Sequence, residues 1–190
     1  MPHRSMPHDR RMASRIEGFR GEFLWELEIV ERQTLALAEG IPQDKYDWRP
    51  APTARSVSEV FAHVAVGNFM LVDIAGRPAP EDVYAGVPPE GQEHFWGLVK
   101  RNDELERGLR DKAAVIDLLR RSFHTAGAQV AAADEPELNR TVQFFGEETT
   151  IRRVFLRLLA HTHEHMGQMI GYVRGMGLEA PWRDWRPDRR

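Results

Sequence analysis

Residues 161–169 read HTHEHMGQM, and the imidazoles in that run are where this chain's chemistry starts. Side chains four apart on an α-helix lie on one face, one turn above the other. His161 and His165 therefore point the same way. His163, at about 100° per residue, projects about 200° away from His161. One helical stripe runs Val154, Leu158, His161, His165, Gln168, Tyr172, and a second runs Phe155, Leu159, Thr162, Met166, Ile170, Val173. The two imidazoles thus stand where the periodicity asks for core side chains. Burying them side by side is costly unless each is hydrogen-bonded or bound to something. A metal ion satisfies both at once, because neutral imidazole is the commonest protein ligand for zinc-like ions. The competing reading is a pair of core-edge histidines satisfied by side chains or water.

Other polar residues carry less signal. His63 falls between Val60 and Gly67 on an apolar helix face, where a lone histidine ordinarily finds a hydrogen-bond partner. His163 and Glu164 read as surface residues. The segment HEHMG is not the HExxH motif of zinc proteases, since the second histidine follows one residue after the glutamate. Gln168 is a hydrogen-bond donor behind the histidines or a buried spacer, and Tyr172 lies on the His165 stripe, where its hydroxyl can approach the site. Trp48 is a core plug or a pocket wall, and Asn68 is a weak polar candidate on an inner helix face. Arg152, Arg153 and Arg157 read as a solvated face and flank, and His94 as a solvated or interface residue.

Helices must position these groups. A first is predicted from about Ser14 to Glu39, on Ile16, Phe19, Phe23, Leu27, Val30 and Leu37, with Ser14 as N-cap and Gly40 and Pro42 as the stop. The proline-bearing segment 41–56 must be a loop. Ser56 and Glu59 then form a capping box for a second helix over about Val57 to Ala75. Residues 76–91 read as a structured surface loop, and Glu93 to Arg107 admit a further short helix. A third main helix is predicted over about Lys112 to Ala133. Residues 141–150 alternate weakly around Gly146, as a small β-hairpin or an irregular loop. The histidine helix spans about Ile151 to Gly175, closed by Gly175 or Gly177. Four long amphipathic helices argue for an all-α four-helix bundle over 14–177. Residues 1–13 are expected as a disordered tail, and 178–190 as a second tail.

Composition narrows the function classes. A content of 42% hydrophobic and 29% charged residues is that of a globular chain, and a formal charge of -3 disfavours nucleic acid as partner. No stretch approaches the roughly 18 uninterrupted apolar residues of a membrane span. The N-terminus lacks the apolar run of a secretory signal, so export is not expected. Without cysteine there are no disulfides, thiolate ligands or cysteine nucleophile, which fits a cytoplasmic location. Any thiol chemistry must use a thiol brought by the substrate.

Three pieces resemble the DinB-like (YfiT-like) four-helix-bundle family. Residues 41–65, IPQDKYDWRPAPTARSVSEVFAHVA, look like its loop before the second helix, with Trp48-Arg49-Pro50, a capping serine and then a histidine. Residues 161–177, HTHEHMGQMIGYVRGMG, resemble its closing helix, with two histidines four apart before a Gly-Gln pair. The order of elements is the third. The resemblance implies a divalent metal (zinc, nickel, iron or manganese) held by His63, His161 and His165, with His163 additional to the set. It also implies a homodimer and kinship with thiol-dependent transferases, isomerases and stress-induced proteins. Three histidines would leave an open coordination position, as in catalytic sites. The leading expectation is a metal-dependent transferase acting on a small molecule, with a low-molecular-weight thiol as co-substrate; hydrolase or isomerase chemistry is related. The rival is a non-enzymatic bundle whose ion is structural or sensory. A di-iron carboxylate bundle is disfavoured because paired Glu-x-x-His motifs are absent.

Overall fold

Four apolar stripes at helical spacing must leave water, and in the computed structural model, which describes residues 17–181, they cover one another. The chain runs through helix α1 (Gly18–Gly40), a 3-10 turn (Gln43–Lys45) and helices α2 (Val57–Ile74), α3 (Gly91–Gly108) and α4 (Lys112–Ala132). A single-turn helix α5 (Glu135–Leu138), strands β1 (Thr141–Phe144) and β2 (Glu147–Thr150) and helix α6 (Ile151–Gly175) follow. Helix α1 packs against α4 and α6, and α2 packs against the same two. The four close into a bundle with α1 and α2 on one diagonal. Its interior includes Leu27 and Val30 of α1, Phe61 and Val64 of α2, Phe123 of α4 and Phe155 of α6.

Local signals set most boundaries. Ser56 Oγ accepts from Glu59 N–H at 3.3 Å while Ser56 N–H donates to Glu59 Oε2 at 2.7 Å, the reciprocal box that starts α2. Asp111 caps α4, and Thr150 caps α6. Helix α6 ends in a Schellman motif: Gly177 takes φ +73°, Leu178 N–H donates to Val173 O, and Gly177 N–H to Arg174 O. Helix α1 begins at Gly18 behind Glu17, which makes no side-chain cap, so it starts later than predicted. The predicted cap Ser14 and the tail 1–13 lie outside the described residues, as do residues 182–190 of the expected second tail.

Helix α2 is long and apolar enough to cross a membrane by length and composition alone, yet 67% of it is buried. The bundle accounts for that apolarity, since α3, α4 and α6 all pack on it. Helix α3, expected to be short, has 18 residues and lies outside the bundle against α2. Its buried stripe, Leu98 and Asn102, is thin because it covers one neighbour only. The preceding loop is pinned to it, as Tyr84 O–H donates to Asn102 Oδ1 at 2.7 Å and Arg101 to Val83 O. Residues 141–150 form an antiparallel hairpin pairing Thr141 with Thr150 and Phe144 with Glu147. Phe145 (φ +49°) and Gly146 (φ +90°) make its turn, the two positive values that a tight type I′ hairpin needs.

Candidate metal centre

Helices α2 and α6 run antiparallel, so positions pair as one index rises and the other falls. Asn68 faces Thr162, Gly67 faces His161, and His63 faces both His161 and His165. One ring nitrogen from each of His63, His161 and His165 lies within 4.8 Å of the others, so the three can hold a metal ion. His161 Nε2 stands 3.0 Å from His63 Nε2. Gly67 makes room for this: a Cβ there would lie 2.5 Å from His161 Cε1.

Hydrogen bonds dictate two of the three tautomers. His63 Nδ1–H donates to Glu106 Oε1 at 2.6 Å, which leaves the Nε2 lone pair facing His161. At His165 a relay does the same work. Tyr172 O–H donates to Arg55 O, Gln168 Nε2 donates to Tyr172 Oη, and Gln168 Oε1 is left to accept from His165 Nδ1–H at 2.8 Å. Gln168 is therefore an acceptor toward the histidine, not a donor. The third imidazole, His161, is 9% exposed, and its Nδ1 is buried without a hydrogen-bond partner.

His161 and His165 are neutral at neutral pH. Burial, then the neighbouring His165 and His63 and the more distant Arg157, push the His161 pKa down to about 3. Burial also lowers the pKa of His165, against the opposing pull of Gln168. Burial works to raise that of Glu106, but the hydrogen bond from His63 and the charge of Arg55 outweigh it and hold the carboxylate ionised. The donor set fits a divalent ion. Two bare nitrogens facing each other repel unless a proton or cation lies between them, and nitrogens bound at about 2.0–2.1 Å to one ion stand about 3 Å apart.

Two cavities lie near the triad, one against His63 and His161 and the other against Gln168, the partner of His165. The first is a pocket of about 210 Å³, with His63, His161 and Glu106 at one end and Val66, Gly67, Met70 and Leu71 of α2 along its wall. Phe144 and Phe145 of the hairpin, Asn102 of α3 and Arg157 of α6 complete it. The other is a wider, polar cleft of about 610 Å³ that includes Arg49, Arg55, Arg107, Asp103, Gln168 and Tyr172 and none of the three histidines. Glu106 borders both.

The remaining candidates lie elsewhere. Trp48 lines neither cavity; it packs edge-on against Tyr172 and over Gly175. Asn68 is fully buried, donating to Ser122 Oγ and accepting from Thr162 Oγ1, so it belongs to a core network and not to a pocket. His163 faces α1, with Nδ1–H donating to Leu159 O and Nε2 3.1 Å from Glu26 Oε1. Arg157, read as solvated, instead lines the apolar pocket, its guanidinium paired with both oxygens of Glu164 at 2.8 Å. Glu106 escaped sequence reasoning because it sits in the charged run DELERG, which looks like any solvated helix face. The wall residues Met70, Phe144 and Phe145 were equally invisible, since apolar side chains at those positions read as ordinary core.

The DinB superfamily matches residues 26–169 of this chain. Among solved structures, a DinB-like protein (YjoA) from Bacillus subtilis aligns with a TM-score of 0.61 at 20% identity, covering 87% of this chain and 99% of its own. YfiT from Bacillus subtilis, described as a probable metal-dependent hydrolase with an unusual four-helix bundle topology, aligns at 0.60 and 15% identity, covering 94% of each chain. A mycothiol-dependent maleylpyruvate isomerase aligns at 0.63 and 11% identity, covering 79% of this chain and 60% of its own. At these identities the likeness shows the fold. No curated protein matches the sequence.

Proposed function

The chain belongs to the DinB superfamily, and we propose that it is a metal-dependent transferase that acts on a small molecule with a low-molecular-weight thiol as co-substrate. The observation that carries this reading is a cluster of three imidazoles whose ring nitrogens lie within 4.8 Å of one another, with an apolar pocket against His63 and His161 and a polar cleft that reaches Gln168, the partner of His165. His63, His161 and His165 would hold the ion, and three protein ligands leave a position for an incoming group. A divalent ion there would supply Lewis acidity, lowering the pKa of a coordinated water or thiol.

The protein's own groups prepare that centre. Glu106 keeps the His63 proton on Nδ1, and Gln168 keeps the His165 proton on Nδ1, so both Nε2 lone pairs stay available. The polar cleft, with Arg49, Arg55 and Arg107, suits a hydrophilic co-substrate, while the apolar pocket suits the less polar reactant. The descriptions of YfiT as a hydrolase and of the isomerase as mycothiol-dependent agree with chemistry of this kind.

A second reading has one observation in its favour: the triad joins α2 to α6, so a bound ion would also clamp the bundle. Cobalt-loaded protein separates the two. Adding 2-mercaptoethanol produces a sulfur-to-metal charge-transfer band if the open position is reachable. No spectral response at thiol concentrations far above the protein would favour a structural or sensory ion.

A further inference from the structure

The apolar pocket continues past its own walls. Helix α3 runs antiparallel to α2, since its Glu106 meets His63 while its His94 Nε2 lies 2.7 Å from Asp73 Oδ1. Phe95, Asn102 and Glu106 are seven and then four residues apart, so they share one face of α3. Asn102 and Glu106 line the pocket, and Phe95 stands beyond them at the end remote from the histidines. From Glu106 back to Phe95 is about 16 Å, at about 1.5 Å per residue.

There the hairpin meets α3. The ring of Phe95 packs edge-on against Phe145 at 5.8 Å between centroids and against Trp96 at 5.3 Å, and Phe145 packs against Phe144 at 4.8 Å. Phe144 and Phe145 also line the pocket. Phe145 is nevertheless 62% exposed and Trp96 59%, so this aromatic row carries the apolar lining out to solvent. Exposed apolar residues scattered singly need no explanation, but a contiguous set joined to a pocket marks a binding surface. Phe145 also holds a conformation its turn does not favour. Its φ is +49° at the first central position, where Asn or Gly fits best and a bulky side chain is disfavoured. With the ring mostly in water, core packing does not offset that strain, whereas a ligand lying on it would.

We infer that the molecule taken to the metal centre is elongated. Its metal-binding polar end meets His63 and His161, and a flat apolar end rests on Phe95, Trp96 and Phe145. This rests on the reading of the triad as a metal centre and adds the substrate class. Edge-to-face rows offer both faces and edges to a further ring, the arrangements that aromatic groups prefer. Continuity favours a ligand over a protein partner, because Phe145 belongs to the pocket and to the row alike.

The test is calorimetric titration of the full-length, zinc-loaded protein with acetohydroxamate, octanohydroxamate and 8-phenyloctanohydroxamate. All three bring the same metal-binding group, so differences report the body of the ligand. The terminal phenyl should tighten binding by about fivefold or more over octanohydroxamate. Trp96→Ala and Phe145→Asn should each remove most of that gain and leave acetohydroxamate binding unchanged. Phe145→Asn also creates the Asn-Gly pair that the turn favours, so its melting temperature should hold or rise while the phenyl probe weakens. A merely structural role for Phe145 would lower the melting temperature as well.

Equal affinity of the octano and phenyloctano probes, or a phenyl gain that survives both substitutions, overturns the inference. So does a wild type that sediments as a dimer while both variants sediment as monomers, since the row would then join two copies. Binding of zinc and acetohydroxamate without a phenyl gain sinks the substrate class and spares the metal centre. Failure to bind zinc sinks the metal centre; binding of 8-phenyloctanamide to the chelated protein, lost in both variants, would then uphold the aromatic row by itself.

Discussion

Glu106 Oε1 accepts a hydrogen bond of 2.6 Å from His63 Nδ1, across 43 residues of chain and from a helix that stands outside the bundle. The pair gives α3 a purpose beyond cover. It fixes the tautomer of the one histidine that α2 contributes to the triad, and it ties that tautomer to Arg55 at the head of the polar cleft.

Substituting Glu106 should therefore be felt at the metal. Glu106→Gln retains a hydrogen-bond acceptor and removes the charge, while Glu106→Ala removes both. Loss of such an outer partner ordinarily lowers metal affinity by about 10- to 100-fold, with alanine the worse. Competition with a chromogenic chelator measures it; wild-type affinity in Glu106→Ala would show that the pair is incidental.

Gly67→Ala puts a methyl group 2.5 Å from His161 Cε1, a distance that backbone-attached carbon does not tolerate. The ring must move, so metal affinity should fall by about tenfold or more while the helical circular dichroism is preserved. Retained affinity would mean that His161 has slack the packing does not suggest.

His161→Ala combined with His165→Ala should abolish metal binding, and His163→Ala should leave it nearly unchanged, because His163 points at Glu26 on α1. The ion would clamp α2 to α6, so chelation should lower the melting temperature of the wild type. At free metal about 100 times the dissociation constant, the linkage is about 2.7 kcal/mol, or about 5–10 °C for a chain of this size. Calorimetry of chelated and loaded protein checks the shift, and equal melting temperatures would argue against the site.

His94 offers a pH test well away from the triad. Its Nδ1 lies 2.6 Å from Pro88 O and its Nε2 2.7 Å from Asp73 Oδ1, so both nitrogens donate only in the imidazolium form. Burial opposes that charge, but Asp73 and the Pro88 carbonyl outweigh it and raise the pKa above 6.5. A raised folded-state pKa stabilises fully below the unfolded value and loses its effect as pH rises through the folded one. The melting-temperature gap between wild type and His94→Gln should thus be larger at about pH 5.5 than at about pH 8.5. A gap that grows with pH would reverse the assignment.

Elements governed by local rules were legible in the chain. The reciprocal pairing of Ser56 and Glu59, the glycine that closes α6, and the four-residue spacing of His161 and His165 depend on neighbours in sequence. Backbone geometry carries them unaided. The same angular argument separated His163 from the pair before any tertiary contact was known. What local rules could not supply was partner identity. That His63 faces the pair depends on the antiparallel packing of α2 on α6, and the expectation that it is a metal ligand rests on family resemblance. Asn68 and Trp48 had the right polarity or size for a pocket, yet packing turned one onto Ser122 and Thr162 and the other onto Tyr172. Glu106 and the hairpin phenylalanines enter the site only because α3 and the β1–β2 hairpin pack beside α2, and Arg157 of α6 lines the pocket with them. Periodicity says which face of a helix is buried; which residue of which other helix it meets is settled by the packing of the whole chain, where each contact is decided by all the others.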